Sequence, residues 1–575
     1  EVVAVADSKG VVGQEVGSTA VAGLSVDEHR VDGVRGDLPF PPRSALPEEG
    51  VSVPEYLRPG VFVQEESSGV KPIEGVGTST ACFVGAAPRG RPFYPTFVTS
   101  WSEYERLFGG LHKGADMPLA VYQFFLNGGK RAYIIRLLDP DAPTATAELP
   151  LESGTLKLRA AGSGAWTKTM SVEVRLSRAG GNPWAADKPA DSPPTLFDFI
   201  VLNEVDGEKF ELEVLPRLGI KEDGERFYAS LINRDSRFIR VEVPTDAKDF
   251  PEVPFKLAKV DNQDLWRVEV PLTGGEDGSP DKLFLDTTIR RALQGLDTID
   301  DVNMLVMPGV FDNVLVGAGI DYVASRGDMI YIIDSEGDPR NRKPREEQLR
   351  DVKAKFRELT PKSSYAALYF PWIEISDPYS RISGATRFAP PSGAIAGLYA
   401  RTDNRRGVWK APAGTEASIL GAVGLAVEVT DNDQEDLNPL GINCIRQFPD
   451  SGIICWGTRT IATRQDPEYR YVPIRRFAMF LKKSLYRGTQ WVVFEPNDEP
   501  LWSAIRFNLN AFMLRQFRAG ALQGAKPEEA YFVKCDAENN VQATIDAGEV
   551  HITVGFAPLK PAEFVIIHLT QMRKE

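Results

Sequence analysis

The chain is 575 residues long, with 42% hydrophobic and 25% charged residues, an ordinary balance for a globular protein and length for roughly four domains of about 150 residues. Its formal net charge of −14 argues against a nucleic-acid surface, because neutralising phosphates takes clustered Lys and Arg. Four scattered cysteines (Cys82, Cys444, Cys455, Cys535) contain no C-x-x-C, and the four histidines form no H-E-x-x-H helix; neither a disulfide framework nor a zinc site is signalled, and the thiols are expected to be buried and reduced. No apolar run approaches the roughly 18 residues that span a bilayer, and no basic stretch followed by an apolar one opens the chain. Cytoplasmic synthesis and assembly, without membrane insertion, is the expectation.

Residues 1–55 are rich in Gly, Val, Ala and Ser, then in Pro and charge, with neither a strand nor a helix period; they are expected to form an extended or loosely ordered extension. Val61, Phe62, Val63 and Gln64 form a short strand candidate between a Pro-Gly and a Ser-Ser-Gly turn. From Gly75 to Asp139 the order is strand (TACFVGAA), helix (SEYERLFGG, then PLAVYQFFLNGG) and strand (RAYIIRLL), with Ser100 or Ser102 as N-cap and Gly109, Gly128 and Gly129 as stops. GVGTST lacks the third glycine of a dinucleotide fingerprint and precedes a strand, the wrong order for a phosphate cradle.

Between about 145 and 275 the stretches LKLRA, SVEVRLS, LFDFIVL, KFELEVL, RFIRVEV and LWRVEVP alternate apolar and polar residues between turns, the pattern of an antiparallel β domain inserted into an α/β chain. After GGEDGSPD, DVNMLVMPGV and GDMIYIIDSE read as buried strands because they are continuous apolar runs. A helix is expected between them at about Val314–Arg326. The mixed-charge EGDPRNRKPREEQLRDVKAKFREL reads as a solvated helix, YAALYFPWIEI as one strand, and APPSGAIAGLYARTD as a turn leading into a helix. Asp334, at a strand end, is a candidate carboxylate, since ligands favour strand C-termini in such folds; no histidine, G-x-S-x-G or Walker sequence accompanies it. TDNDQEDLNPLG fails the EF-hand template and reads as a solvated acidic loop.

YVPIRRFAMFLKKSLYRG predicts an amphipathic helix, with Ile474, Phe477, Phe480, Leu481 and Leu485 on one side and Arg475, Arg476, Lys482 and Lys483 around the other, cations able to meet an acidic partner. WVVFE reads as a strand. A helix then starts at Pro500, carries Trp502, Ile505, Leu509, Phe512, Met513 and Phe517 on one stripe, and stops at Gly520. AYFVKCD is the next strand, followed by candidates at Val550–Val554 and Glu563–Leu569. The latter, FVIIHL, is apolar on both faces and suited to recruit another strand.

No nucleophile–base pair, phosphate loop, metal cluster or redox dithiol is present, so no catalytic, cofactor or metal residue is assigned. A structural assembly protein is favoured over an α/β enzyme with an unidentified site. The fold class is α/β, multidomain: residues 56–140, 281–360 and 361–575 form the α/β portions and 141–280 the inserted β-rich domain.

EPNDEPLW (495–502), GALQG (520–524), EEAYFVKCD (528–536), AGEVHITVGFAPLKPAEFVIIHLTQ (547–571), LNPLGINCIRQFPDSGIICWGTRT (437–460), RPGVFVQEE (58–66) and GVGTSTACFVGAAPRG (75–90) together resemble the tail sheath proteins of contractile phage tails and related injection systems. The resemblance implies a helical homo-oligomer around an inner tube protein, bounded by baseplate and terminal cap proteins, with no cofactor. It implies arms that add as strands to neighbouring copies: Val61, Phe62, Val63 and Gln64 at one end, Phe564, Val565, Ile566, Ile567, His568 and Leu569 at the other. The basic residues Arg475, Arg476, Lys482 and Lys483 are expected to face the tube, and the inserted domain to decorate the outside. One chain carrying both early and late motifs looks more like a phage-type sheath than the two-protein sheath of type VI secretion.

Overall fold

A computed structural model describes residues 72–575 except 153, 177–195, 206, 222–224, 243–254, 260–265, 336–342, 565 and 567–575. The expected arm strand Val61–Gln64 and, of the second arm, Val565, Ile567, His568 and Leu569 lie outside the described residues.

In chain order, β1 (Ala81–Ala86), β2 (Thr96–Val98), α1 (Trp101–Phe108), α2 (Met117–Leu126) and β3 (Ala132–Leu137) come first. Ser100 caps α1 by accepting from the Glu103 amide, and Gly109 ends it in the left-handed region. The inserted portion holds β4 (Thr146–Pro150), β5 (Thr155–Ala160), β6 (Met170–Leu176), β7 (Phe197–Val205), β8 (Glu208–Leu218), α3 (Tyr228–Asp235), β9 (Ile239–Val241), β10 (Ala258–Lys259) and β11 (Trp266–Pro271). The chain returns with α4 (Asp286–Gln294), β12 (Met304–Val306), α5 (Asn313–Arg326), β13 (Ile330–Asp334), α6 (Arg345–Glu358), β14 (Ala366–Phe370), β15 (Ile373–Ser376), β16 (Thr386–Ala389), α7 (Ser392–Arg406), β17 (Ala422–Leu425), α8 (Asp431–Leu437), β18 (Ile442–Phe448) and β19 (Gly452–Cys455). It ends with α9 (Val472–Gly488), α10 (Glu499–Phe517), α11 (Pro527–Ala530), β20 (Tyr531–Lys534), α12 (Gln542–Asp546) and β21 (Thr553–Phe556).

The body is an eight-stranded sheet in the order β19-β18-β14-β13-β12-β1-β3-β2, parallel from β18 to β3 and antiparallel at both edges. Its central strands are apolar on both faces because both are covered. Ala81, Phe83, Ile330 and Ile332 face one core, while Cys82, Val84, Tyr331 and Ile333 face the other. Helices α2 and α7 press together on one side at glycines: a Cβ on Gly393 would lie 2.2 Å from the Ala120 carbonyl oxygen, and one on Gly397 2.5 Å from that of Phe124. Because β13 pairs with β14, one sheet runs straight across position 360, the division the sequence suggested between middle and C-terminal portions.

The inserted portion forms the antiparallel sheets β10-β11-β6-β7-β8 and β4-β5-β9. Its root is fastened by Arg136, buried at 2% exposure. This side chain donates to the carbonyls of Ala87, Gly90 and Ser163 and pairs with Asp277, and burial lowers its pKa to about 10.

Several sequence expectations are corrected. YAALYFPWIEI is two strands in different sheets, β14 in the body and β15 in a three-stranded sheet with β16 and β17, because Pro371 interrupts it. WVVFE is a 3-10 turn at Gln490–Val492 followed by Phe494 at φ 72. The acidic segment after Thr430 is helix α8, closed by a capping box between Thr430 and Asp433.

Candidate functional site

The C-terminal unit is built on α10. Asp498 caps it by accepting from the Leu501 amide and Pro500 occupies its first turn. The Trp502 indole donates to the Asn497 side chain at 2.8 Å, and Asn497 donates to the Glu549 carbonyl at 2.9 Å, tying the start of the helix to the loop before β21. Trp502, Ile505, Leu509, Phe512 and Met513 then form one core with Phe477 and Leu481 of α9.

Upon this core lies an antiparallel sheet of two strands, β20 and β21. Tyr531, Val533, Val554 and Phe556 point into the core yet are only part-buried. On the outer face Phe532 is 56% exposed and lies across Gly555, where a Cβ would stand 2.0 Å from its ring. A two-stranded ribbon is marginal alone, and among the described residues no further strand pairs with either edge.

Both tails start here. Ile73 is buried in the C-terminal core against Gly488, its carbonyl accepts from Arg515, and the Val76 amide donates to Ser484 at 3.1 Å. At the other end, residues 557–559 pair with 521–523. The chain then crosses to the body, where the Glu563 carboxylate accepts from Arg459 Nε (2.8 Å) and Nη2 (2.6 Å), Asn438 Nδ2 (2.8 Å) and the Tyr471 hydroxyl (2.9 Å). Burial acts to raise its pKa, but these donors outweigh burial and hold the carboxyl below its ordinary range. A cleft of about 990 Å³ opens beside this tail, lined by Trp409, Lys410, Arg446, Trp456 and Tyr471. Past the carboxylate, Phe564 and Ile566 are 74% and 78% exposed. No local pattern marked Glu563, Arg459, Asn438 or Tyr471, because these partners are 92 to 125 positions from Glu563 in sequence.

The four cations expected on a free face of α9 behave differently. Arg476 and Asp403, at 3% and 4% exposure, meet at 2.6 Å, and Arg476 also donates to the Thr78 carbonyl. Arg475 pairs with Asp466 at 3.1 Å and lies over the rings of Tyr365 and Tyr469. Lys483 is buried against Asp300 and Asp328. Lys482 alone of the four is solvent-exposed. α9 thus has an apolar side in the C-terminal core and a cationic side tied into the body.

Asp334 is fully buried and accepts from the Ser392 amide (2.8 Å), the Ser392 hydroxyl (2.7 Å) and the Gly309 amide (3.0 Å). Burial raises its pKa to about 6, against those three donors. Its lone pairs anchor the N-terminus of α7 to the sheet. In GVGTST, the Thr78 hydroxyl donates to Asp403 and the Thr80 amide to Asn303, so this stretch braces the body. Among the described residues no group of three His, Cys, Asp or Glu side chains could hold a metal, and no helix is long and apolar enough to cross a membrane.

Two family descriptions match the chain: Phage tail sheath protein central domain over residues 288–461, and Phage tail sheath C-terminal domain over 464–571. A tail sheath protein of Vibrio phage KVP40 is 29% identical over 191 residues, 33% of this chain and 27% of that protein; one of Enterobacteria phage T4 is 28% identical over 197 residues, 33% and 28%. The chain thus covers less than a third of either phage protein. Among solved structures, the contracted PVC sheath complex of an extracellular contractile injection system aligns at TM-score 0.53 and 21% identity, over 91% of this chain and 99% of that one. A sheath tail protein of Listeria innocua aligns at TM-score 0.54 and 12% identity, over 85% and 96%. At those identities the two structures speak for the fold.

Proposed function

The chain belongs to the contractile tail sheath family, and from that premise we propose that it is a structural subunit that polymerises into a helical cylinder around an inner tube and drives the tube out as the cylinder contracts. The observation that supports this reading is the two-stranded β20–β21 sheet, to which no further described strand pairs, in a unit from which both tails start.

In this reading Val61–Gln64 of one neighbour and Phe564–Leu569 of another add to the edges of β20 and β21. Each main-chain hydrogen bond contributes a net ~0.5–1.5 kcal/mol, so a strand of five or six residues contributes several kcal/mol before ordering costs. Added strands also cover the part-buried Tyr531, Val533, Val554 and Phe556. Links made of main-chain hydrogen bonds depend little on side-chain contacts between bodies, so the bodies repack while the mesh stays joined. An extended array that relaxes to one with better-packed bodies does mechanical work without a nucleotide. The partners are further copies of this chain, the inner tube, the baseplate and a terminal cap, in a phage tail or tail-like injection particle. Lys482 of α9 is the cation offered to the tube, and the inserted β domain faces outward.

Negative-stain electron microscopy of the purified chain tests the reading, which expects cylinders or stacked rings. A monodisperse monomer that turns over a small metabolite contradicts it.

A further inference from the structure

The tail does not leave the molecule as a free tether. Up to Leu559 it belongs to the C-terminal unit, where the Leu559 amide donates to the Ala521 carbonyl. Four residues later, after Pro561, its carboxylate is held by side chains of the body and of the junction: Asn438 after α8, Arg459 after β19, and Tyr471 at the start of α9. The receiving side is itself braced. Arg459 donates through Nη1 to the Asn438 carbonyl at 3.0 Å. The fully buried Asn443 accepts from the Arg459 amide at 2.6 Å and donates to the Arg459 and Leu368 carbonyls at 2.8 and 3.1 Å. Arg459 thus meets Glu563 with its position already fixed by the sheet, and a preset donor array loses little freedom on binding. Past this point nothing described covers the apolar Phe564 and Ile566.

We infer that Glu563, with Arg459, Asn438 and Tyr471, is a latch that fixes where and in which direction the C-terminal arm departs, so that a second copy of this chain meets a pre-aimed strand. The inference rests on the strand-exchange reading above and adds a positioning role for four residues to it. Its physical content is effective concentration. An arm whose root is fixed samples a small volume near the acceptor edge, whereas an arm hinged at Pro561 spreads over a larger one and engages less often at the same protein concentration. The latch also sends tension on the arm into the eight-stranded sheet through Asn443, and not only into the two-stranded one.

The test compares four chains: wild type, Glu563→Ala, Tyr471→Phe and a chain ending at Glu563. Each is followed by thermal melting, amide exchange of the unassembled chain, and the concentration at half-maximal cylinder formation. With the latch, Glu563→Ala stays folded but melts below wild type, because Arg459 at 8% exposure loses its carboxylate partner; it exchanges faster around 560–564 and needs about ten-fold more protein or above to assemble, the loss expected for one charge-assisted contact. Tyr471→Phe, which removes one donor without altering packing, shifts the threshold the same way by less and decides the matter if Glu563→Ala fails to fold. The truncated chain does not assemble. Wild-type thresholds in folded Glu563→Ala or Tyr471→Phe, with the truncated chain inactive, overturn the latch and leave strand exchange standing. Cylinders from the truncated chain overturn the strand-exchange reading and the latch with it.

Discussion

The eight-stranded sheet of the body and the two-stranded sheet of the C-terminal unit are made from the same kinds of residues and end in opposite conditions. In the body, Ile330, Ile332, Tyr331 and Ile333 are at most 1% exposed, with helices on both faces. In β20 and β21 the inward residues are part-buried and the outward Phe532 is more than half exposed. Among the described residues this sheet has two strands over a full hydrophobic core, and its open edges suit the added strands proposed above. The body holds the monomer together; under the proposed strand exchange the small sheet is where other copies complete it.

Breaking the body should unfold the chain, and breaking the small sheet should leave a folded chain that does not assemble. The largest effect is expected at the junction. Arg476→Ala strands Asp403 at 4% exposure and should cost about 3–5 kcal/mol, read as a lowered urea midpoint with loss of assembly. Gly555→Val drives a side chain into the Phe532 ring. It should cost about 1–3 kcal/mol, with faster amide exchange confined to 531–534 and 553–556, unchanged exchange in the body, and no cylinders.

Asp334 offers a pH test of the body alone. Its folded-state pKa, about 6, lies above the ordinary 3.8. The folded chain therefore keeps a proton that the unfolded chain releases, and stability falls as pH rises from about 4 to 6. Asp334→Asn is neutral throughout and lacks that slope, so the stability of wild type minus that of the variant should decline across the window and level off above it; a rising difference would show the opposite shift. The smallest effect on stability is expected at exposed Lys482. Lys482→Glu should change it by within about 0.5 kcal/mol while weakening co-sedimentation with tubes, most at low salt. Unaltered co-sedimentation would remove Lys482 from the tube contact.

What the sequence made legible follows from which signals are local. Runs such as MLV and IYII are apolar at every position because both faces are covered, and they marked β12 and β13. The stripe from Trp502 to Met513 marked α10, and alternation marked the strands of the inserted domain. WVVFE misled because its β-branched and aromatic residues suit a strand, yet Phe494 takes a left-handed conformation and is fully exposed. TDNDQEDL carried a capping signature in Thr430 and Asp433 that identifies a helix start. The cations of α9 looked like a solvated face because Asp403 and Asp328 lie 73 and 155 positions from the side chains they neutralise, and no periodicity carries that information. The Glu563 latch was hidden for the same reason.

The most direct measurement is a cryo-electron microscopy map of the assembled particle at a resolution that traces main chain. The account predicts that β20 and β21 form the middle of a four-stranded sheet whose outer strands are the Val61–Gln64 and Phe564–Leu569 segments of two other copies. A map in which β20 and β21 remain a pair and both tails fold back onto their own subunit would contradict it.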